Sequence, residues 1–343
     1  PRKCGVFNPK DTNRMKSNHK TISLLATFML MLPCATTAAG NSRGDINGDG
    51  NVNVSDVTSL ISYILGNTIT VDESQVDVNR DGSANVSDVT TLIGYVLGNI
   101  TFSPEPEEFT VNDVTFIMMP VEGGAFTMGA TAEQGNDANS RELPIHEVTL
   151  STFYIGSTEV TQELWKAVMG NNPSYFQGDQ RPVENVSWED CQAFITVLNE
   201  LTGREFRLPT EAEWEFAARG GNQSMGYKYS GSNDINLVGW YSGNDSWPML
   251  KGTGSYGTHY VATRNFNELE LFDMSGNVHE WCQDWFGPYS TDAQTDPTGP
   301  TTGANRVYRG GSWYFDEWFC RVSFRNGQTP SYRSYGIGMR LAL

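Results

Sequence analysis

Cysteine, histidine and positive charge are all scarce in this chain of 343 residues. It has five cysteines and four histidines, and 23 Lys and Arg stand against 40 Asp and Glu, a formal net charge of −17. The shortage of cations argues against nucleic acid or an anionic membrane as a partner. The shortage of cysteine excludes a disulfide scaffold. Cys4 and Cys34 fall in the first 39 residues, and Cys191, Cys282 and Cys320 then leave an odd count that allows one bridge at most. A segment of more than ~200 residues can hold itself by its own core. His146, His259 and His279 show no close ligand spacing, which leaves a histidine metal site without support. The apolar run from Ile22 to Leu32 is well short of the ~20 residues a membrane span needs.

That run has another reading. Lys16, His19 and Lys20 precede it, and Pro33 and small residues through Ala39 follow it. A charged start, a short apolar stretch and a small-residue cleavage site make a secretory leader over residues 1–39, with Met15 as the true start. Cleavage after Ala39 places Thr37 and Ala39 at the key positions. Cys34 raises a lipoprotein alternative, which Pro33 immediately before it disfavours. The expectation is export to the outside of the cell or to its surface.

Residues 45–66 and 77–98 say the same thing twice. Asp45-Ile46-Asn47-Gly48-Asp49-Gly50 recurs as Asp77-Val78-Asn79-Arg80-Asp81-Gly82, each followed by Val-Ser-Asp-Val-Thr, at one constant offset and without a gap. Calcium loops supply oxygen ligands at positions 1, 3, 5, 7, 9 and 12, with glycine at 6 for the sharp turn. The first loop offers Asp45, Asn47, Asp49, the Asn51 carbonyl, Asn53 and Asp56, with Gly50 at the turn. The second offers Asp77, Asn79, Asp81, Ser83, Asn85 and Asp88, with Gly82. One such loop is an ordinary Asx-rich turn; two in register point to calcium. Each runs into a helix with apolar residues at i, i+3, i+4, i+7 and i+8: Val57, Leu60, Ile61, Ile64 and Leu65, then Val89, Leu92, Ile93, Val96 and Leu97. Gly66 and Gly98 read as C-cap glycines.

Aspartate instead of glutamate at position 12, and no helix before the first loop, make residues 43–100 resemble a type I dockerin. The resemblance implies calcium as cofactor and docking onto a cohesin domain of a scaffold protein, as in polysaccharide-degrading complexes. It also implies that loop positions 10 and 11, Val54 and Ser55 with Val86 and Ser87, help choose the partner. Because the copies match, two binding orientations are expected.

Residues 101–109, with Pro104 and Pro106 among acidic residues, read as a short stiff linker. From 110 to 343 the composition shifts to Trp, Gly and short apolar runs, as in a loop-rich α+β domain. Val114–Pro120 and Gly124–Met128 read as a strand pair around Glu122-Gly123, and Glu147–Ile155 as one strand. Ser187 caps a helix to Leu201 with Trp188, Cys191, Phe194, Ile195 and Leu198 on one face. Thr210-Glu211-Ala212-Glu213 is a capping box opening a helix through Arg219.

Several phrases then fall in order. Among them are Phe126-Thr127-Met128-Gly129, Glu159-Val160-Thr161-Gln162, Pro182-Val183-Glu184-Asn185-Val186-Ser187-Trp188 and Arg207-Leu208-Pro209-Thr210-Glu211-Ala212-Glu213-Trp214-Glu215. Asp273-Met274-Ser275-Gly276-Asn277-Val278-His279-Glu280-Trp281 and Arg309-Gly310-Gly311-Ser312-Trp313 complete the set. Residues 110–343 resemble the formylglycine-generating-enzyme, or sulfatase-modifying-factor, family. The resemblance implies an α+β, C-type-lectin-like fold preceded by a small all-α dockerin. It also implies structural calcium at Asn277, the Val278 carbonyl and Glu280, with His279 a packed or exposed side chain. In active members a cysteine pair holds copper(I) and oxidises a cysteine of a sulfatase Cys-x-Pro-x-Arg motif. Here Phe315 stands three residues after Ser312, where the first cysteine belongs, and Cys320 stands at the second. Soft thiolates suit copper(I), and one is a poor substitute for two. Cys320 and Ser312 are catalytic candidates, with copper, only if activity survives.

What fills the region is aromatic: Trp313, Tyr314, Phe315, Asp316, Trp318, Phe319, Phe324, Tyr332, Ser334 and Tyr335, among Arg321, Arg325, Arg333 and Arg340. Aromatics with small polar residues suit binding surfaces. The run also resembles the variable segment of diversity-generating-retroelement proteins, where adenine-directed mutation of AAC codons yields Tyr, Phe, Asp or Ser. Three roles stay open: recognition of a protein or glycan ligand, formylglycine formation, and a purely structural surface module.

Overall fold

The computed structural model describes residues 43–67, 69–71, 75–79, 82–100, 104–245 and 256–343. The leader and Asp81 lie outside them. Between residues 43 and 100 the two repeats form helices α1 (Val54–Ile64) and α2 (Val86–Val96). Each opens on an asparagine cap, Asn53 or Asn85, with Asp56 or Asp88 completing a capping box. Gly66 and Gly98 take positive φ after the last turn, as a C′ glycine requires. Ile46, Val57, Leu60, Val76, Val78, Val89 and Leu92 form one buried cluster between the helices and loops. The periodic apolar face is only half used: Ile61, Leu65, Ile93 and Leu97 are exposed.

The larger domain begins earlier than the linker reading placed it. Strand β1 (Glu107–Val111) pairs antiparallel with β2 (Val114–Val121) across a two-residue turn with positive φ at Asn112 and Asp113. The strand pair expected around Glu122-Gly123 does not form. β2 pairs instead with β5 (Phe153–Gly156), while β3 (Gly124–Met128) pairs with β4 (His146–Leu150). The single strand expected over 147–155 is thus two strands, β4 and β5, in different sheets. Gly123 explains the break. A Cβ there would come within 2.5 Å of the Leu150 carbonyl, so the chain turns where backbones touch.

Helix α3 (Gln162–Met169) is capped by Thr161, α4 (Trp188–Thr202) by Ser187 and α5 (Glu211–Ala218) by Thr210. Cys191, Phe194, Ile195 and Leu198 of α4 are buried, and Trp165 stacks on Phe194 at 4.9 Å. All eight residues of α5 are buried, so no amphipathic stripe is visible in it. After the single turn α6 (Ile235–Val238) comes strand β6 (His279–Trp285), the middle of the third sheet. Two-residue β7 (Gln294–Thr295) extends the β3–β4 sheet. Strands β8 (Arg306–Arg309), β9 (Asn326–Gln328) and β10 (Ile337–Met339) complete the third, in order β10-β6-β8-β9. The aromatic run lies between β8 and β10, so the central sheet presents it.

Candidate functional site

The calcium loops are built of oxygen and amide. Asp45 is fully buried, and its carboxylate accepts the amides of Asp49 at 3.1 Å and Gly50 at 2.9 Å. Asp56, also fully buried, accepts the amides of Asn47 and Asn53. Asp88 repeats this with Asn79 and Asn85, and Asp77 accepts from Gly82. None of the ion pairs among the described residues includes Asp45, Asp49 or Asp56. Buried carboxylates facing only neutral N–H groups call for a cation, and an all-oxygen set suits calcium. Asp45, Asn47, Asp49, the Asn51 carbonyl, Asn53 and Asp56 would hold the ion in the first loop, and Asp77, Asn79, the Ser83 carbonyl, Asn85 and Asp88 in the second, although no three carboxylates among the described residues already stand clustered around a metal position. At position 9 the side-chain oxygens of Asn53 and Asn85 accept the amides of Ser55 and Ser87 at 2.8 Å and so cap the helices, and each keeps a second lone pair for the ion. The hydroxyls of Ser55 and Ser87 in turn accept from Asn47 and Asn79, so these two serines brace the loops. Val54 and Val86 stay exposed.

In the larger domain the calcium set expected at Asn277, Val278 and Glu280 does not assemble. Both oxygens of Glu280 accept from Arg340 at 2.7–3.0 Å, and one also accepts the Trp214 indole N–H. The Asn277 side chain donates to Glu159 and accepts from the His259 amide. A buried guanidinium occupies the charge that a metal would neutralise. Excess negative charge remains beside it, because Glu159 and Asp273 are buried near the same Arg340 and Asp273 Oδ1 has no partner. His279 is packed, 5.2 Å from Phe315, and burial pushes it down to about 3, so it stays neutral.

The aromatic face stands on buried arginines. Arg309 reaches the carbonyls of Ser323 and Phe324 at 2.9 Å and pairs with Glu215. Arg321 is bidentate to Glu142 at 2.7 and 2.8 Å, and Arg325 is bidentate to Glu211 at 2.6 Å. Each carboxylate comes from a distant stretch of chain, so these pairs fix the path of 309–325.

Along that path Trp313, Tyr314, Phe315 and Phe319 follow one another with ring centres 4.4–4.9 Å apart. Trp313 also meets Phe176 and Tyr256, and Tyr335 lies 4.7 Å from Tyr175. Tyr314 shares a 3.2 Å hydrogen bond with Ser334, and the Trp313 indole donates to the Tyr335 carbonyl. A cleft of 550 Å³ opens between Ser242, Asp245, Tyr256, Trp313, Tyr314, Ser334 and Tyr335. Tyr175 (64% exposed), Tyr256, Ser242 and Asp245 escaped sequence reasoning. They come from segments far from 313–335 and carry no motif of their own.

Phe324 is only 3% exposed and packs on Phe319, so it supports the face from beneath, while Trp313 is largely buried yet lines the cleft and half-buried Trp318 donates to the Asp137 carbonyl. Asp316 and Tyr332 are exposed, and Asp316 accepts from Ser242.

Cys320 is fully buried, and burial pushes its thiol well above the ordinary range. A Cβ on Gly311 would lie 2.5 Å from its sulfur, so the backbone closes over the thiol. Ser312 is fully buried as well. Phe315 fills the neighbouring space against His279 and Phe319. These residues do not fit copper(I): one sulfur is present, it is sealed, and burial holds it protonated.

Two further buried carboxyls carry a pH consequence. Burial pushes Glu184 up to about 7, and burial with the neighbouring Glu211 charge pushes Asp284 up to about 7. Both are raised above their unfolded values, so the fold holds protons that the unfolded chain releases. Their stabilisation is present below pH ~4 and is lost as pH rises through about 7. Carboxylates lowered in the fold, such as Glu211, act in the opposite sense only at acid pH, and His279, pushed down to about 3, offsets part of the loss only up to its ordinary value of 6.5. Melting of the larger domain should therefore show lower stability at pH 8 than at pH 6, on the order of 1 kcal/mol per group. Glu184→Gln should flatten the profile; a stability that climbs over this interval would contradict the assignment.

Two oxygen-lined loop-helix units, joined to an α+β domain of small sheets that is pinned by buried Arg–Glu pairs, define a dockerin-bearing protein with a C-type-lectin-like domain. The chain belongs to the family described as sulfatase-modifying factor enzyme 1-like domain, whose model matches residues 103–343, and a dockerin type I domain matches residues 43–97. It is 37% identical over 235 residues to the chaperone protein LppX of Paenibacillus barcinonensis, covering 56% of this chain and 77% of that one. It is 31% identical over 281 residues to the formylglycine-generating enzyme of Streptomyces coelicolor, covering 64% and 87%. Among solved structures it resembles Treponema denticola variable protein 1, with a TM-score of 0.61, 33% identity and coverage of 70% and 99%. PvdO from Pseudomonas aeruginosa aligns with a TM-score of 0.55, 25% identity and coverage of 71% and 99%. Among the described residues no helix is long and apolar enough to cross a membrane.

Proposed function

We propose that this is an exported recognition protein, docked through its calcium-loaded dockerin to a cohesin and binding a protein or glycan ligand in the aromatic cleft, without formylglycine chemistry. The observation that carries the reading is the pairing of a sealed Cys320 and a phenylalanine at 315 with an open cleft walled by Tyr256, Tyr314 and Tyr335. The likeness to Treponema denticola variable protein 1 supports it. Docking is supported by the exposed Val54, Ile61 and Leu65 on one repeat and their counterparts Val86, Ile93 and Leu97 on the other.

Two measurements test this. Copper(I)-loaded protein, given oxygen and a Cys-x-Pro-x-Arg peptide, should show no cysteine-to-aldehyde mass change beside an active family member; turnover abolished by Cys320→Ser would overturn the reading. Binding of labelled protein to native cell surface and matrix should fall at least tenfold in Tyr314→Ala and Tyr335→Ala. That is the ~1.4 kcal/mol or more of an interface anchor. Unchanged binding would favour a structural module.

A second reading has its own support. Of the positions that fit adenine-directed mutation, Tyr314, Asp316, Tyr332 and Tyr335 are exposed and Ser334 is half-buried. A diversified segment needs such accessible positions. Buried Phe324 departs from the pattern.

A further inference from the structure

A second cavity, of 320 Å³, lies in the larger domain and shares no lining residue with the aromatic cleft. Its walls include Met128, His146, Asp284, Trp285, Tyr289 and Gln294. Two of its polar side chains are more than nine-tenths buried and incompletely used. Asp284 is 4% exposed; its Oδ2 accepts the Glu211 amide at 2.9 Å, and its Oδ1 accepts nothing. His146 is 5% exposed; its Nδ1 lies 3.3 Å from the Pro144 carbonyl. A carbonyl there fixes Nδ1 as the donor and leaves Nε2 as an acceptor with no protein partner. Neither atom is sealed off, so both present unused hydrogen-bonding capacity to whatever occupies the one cavity they face.

The charges around the cavity are already spent. Arg325 gives both arms of its fork to Glu211 and its remaining donor to the Arg141 and Gly287 carbonyls. Tyr289 donates to Glu211 at 3.3 Å and carries the Arg325 guanidinium 3.9 Å from its ring centre. No free cation remains to take an anion. Burial and the neighbouring Glu211 charge push Asp284 up to about 7, so near neutral pH it carries only part of a negative charge, which weakens its hold on a cationic guest. What is left is an apolar wall of Met128 and prolines with unpaired acceptors and exposed Thr298 at the margin. The volume sits at the lower end of the range for small-molecule sites, ~300–1,000 Å³, and far above the ~30 Å³ of one water.

We propose that this cavity is a second ligand site, independent of the aromatic cleft, that takes one uncharged polyhydroxyl ring, a sugar residue, through Asp284 and His146. Hydroxyl groups, donors and acceptors at once, pair with the His146 Nε2 acceptor and with Asp284 Oδ1 whether that carboxyl is ionised or protonated, and the CH face of the ring rests on the apolar wall.

The test is saturation-transfer NMR on the full chain in calcium, with glucose, galactose, mannose, xylose and N-acetylglucosamine each at 10 mM. At least one sugar should receive transfer from the wild type and from the cleft variant Tyr335→Ala. His146→Phe, which removes the acceptor at similar volume, and Thr298→Trp, which blocks the mouth from an exposed loop, should each weaken that signal at least tenfold. Thr298→Trp should keep the wild-type melting temperature, separating loss of the site from loss of the fold. No transfer from the wild type would mean that solvent alone fills the cavity and would overturn the proposal. Transfer that survives both cavity variants, or that disappears in Tyr335→Ala, would place the sugar elsewhere and overturn it equally.

Discussion

Removing calcium will unfold residues 43–100 and leave the larger domain folded. Among the described residues the dockerin's buried cluster is seven side chains, little to hold a unit of this size without a staple. Against it stand Asp45 and Asp56, fully buried, and the matching Asp88, all held by amide N–H groups. With the ion gone those carboxylates repel one another in a poorly solvated loop. With it bound, a site saturated to a hundred times its dissociation constant stabilises by ~2.7 kcal/mol, and two sites by about twice that. Far-ultraviolet circular dichroism in excess chelator should lose the signal of helices α1 and α2 and regain it on adding calcium. The larger domain should keep its melting transition, and cohesin binding should vanish with the helices. A spectrum indifferent to chelator would refute calcium as the staple.

Breaking the Arg321–Glu142 pair is expected to be the most damaging single change in the larger domain. Both side chains are fully buried, the contact is bidentate, and Ser323 donates to the same carboxylate at 2.6 Å. Arg321→Met leaves Glu142 as an uncompensated buried charge, at a cost of ~3–5 kcal/mol. For a domain of this size that is a fall of roughly 10 °C in melting temperature. The double variant Arg321→Met/Glu142→Leu removes both charges and should recover most of the loss, because an apolar pair of similar volume is often as stable as a buried ion pair. Calorimetry of the three proteins decides it. A single-variant loss under ~1 kcal/mol, or a double variant worse than the single, would show that the pair does not hold the 309–325 path.

These two expectations differ in how they could be reached. The calcium loops are legible in the sequence because all their donors lie within twelve consecutive residues and the pattern is written twice. The caps at Ser187 and Thr210 are legible for the same reason: an N-cap side chain bonds an amide three residues on, so the whole device sits in one short window. The position-9 asparagines carry two roles in that window, since the oxygen that caps the helix amide keeps a second lone pair facing the loop.

The strand errors come from the opposite condition. Val114–Val121 and Gly124–Met128 look like a hairpin from spacing, yet β2 finds its second partner in β5 and β3 in β4, beyond the 3₁₀ turns of 132–142. Likewise Glu280 was read as a calcium ligand because its partner Arg340 lies 60 residues away. Phe324 was counted with the surface aromatics because nothing local says which way a residue of 313–335 faces.

The sequence by itself determined the doubled calcium loops, the helix caps, the family of the larger domain and the loss of one of two thiols. Each is carried by residues within a few positions of one another or by a long ordered series of phrases. Only the tertiary structure decided that Cys320 is sealed beneath Gly311, that Glu142, Glu211, Glu215 and Glu280 go to the arginines of the last forty residues, and that Tyr175 and Tyr256 join Tyr314 and Tyr335 around one cleft. The reason is range. These ion pairs join residues 60 to 179 positions apart, and a side chain's partner at that distance is set by how three small sheets pack, which no local pattern encodes.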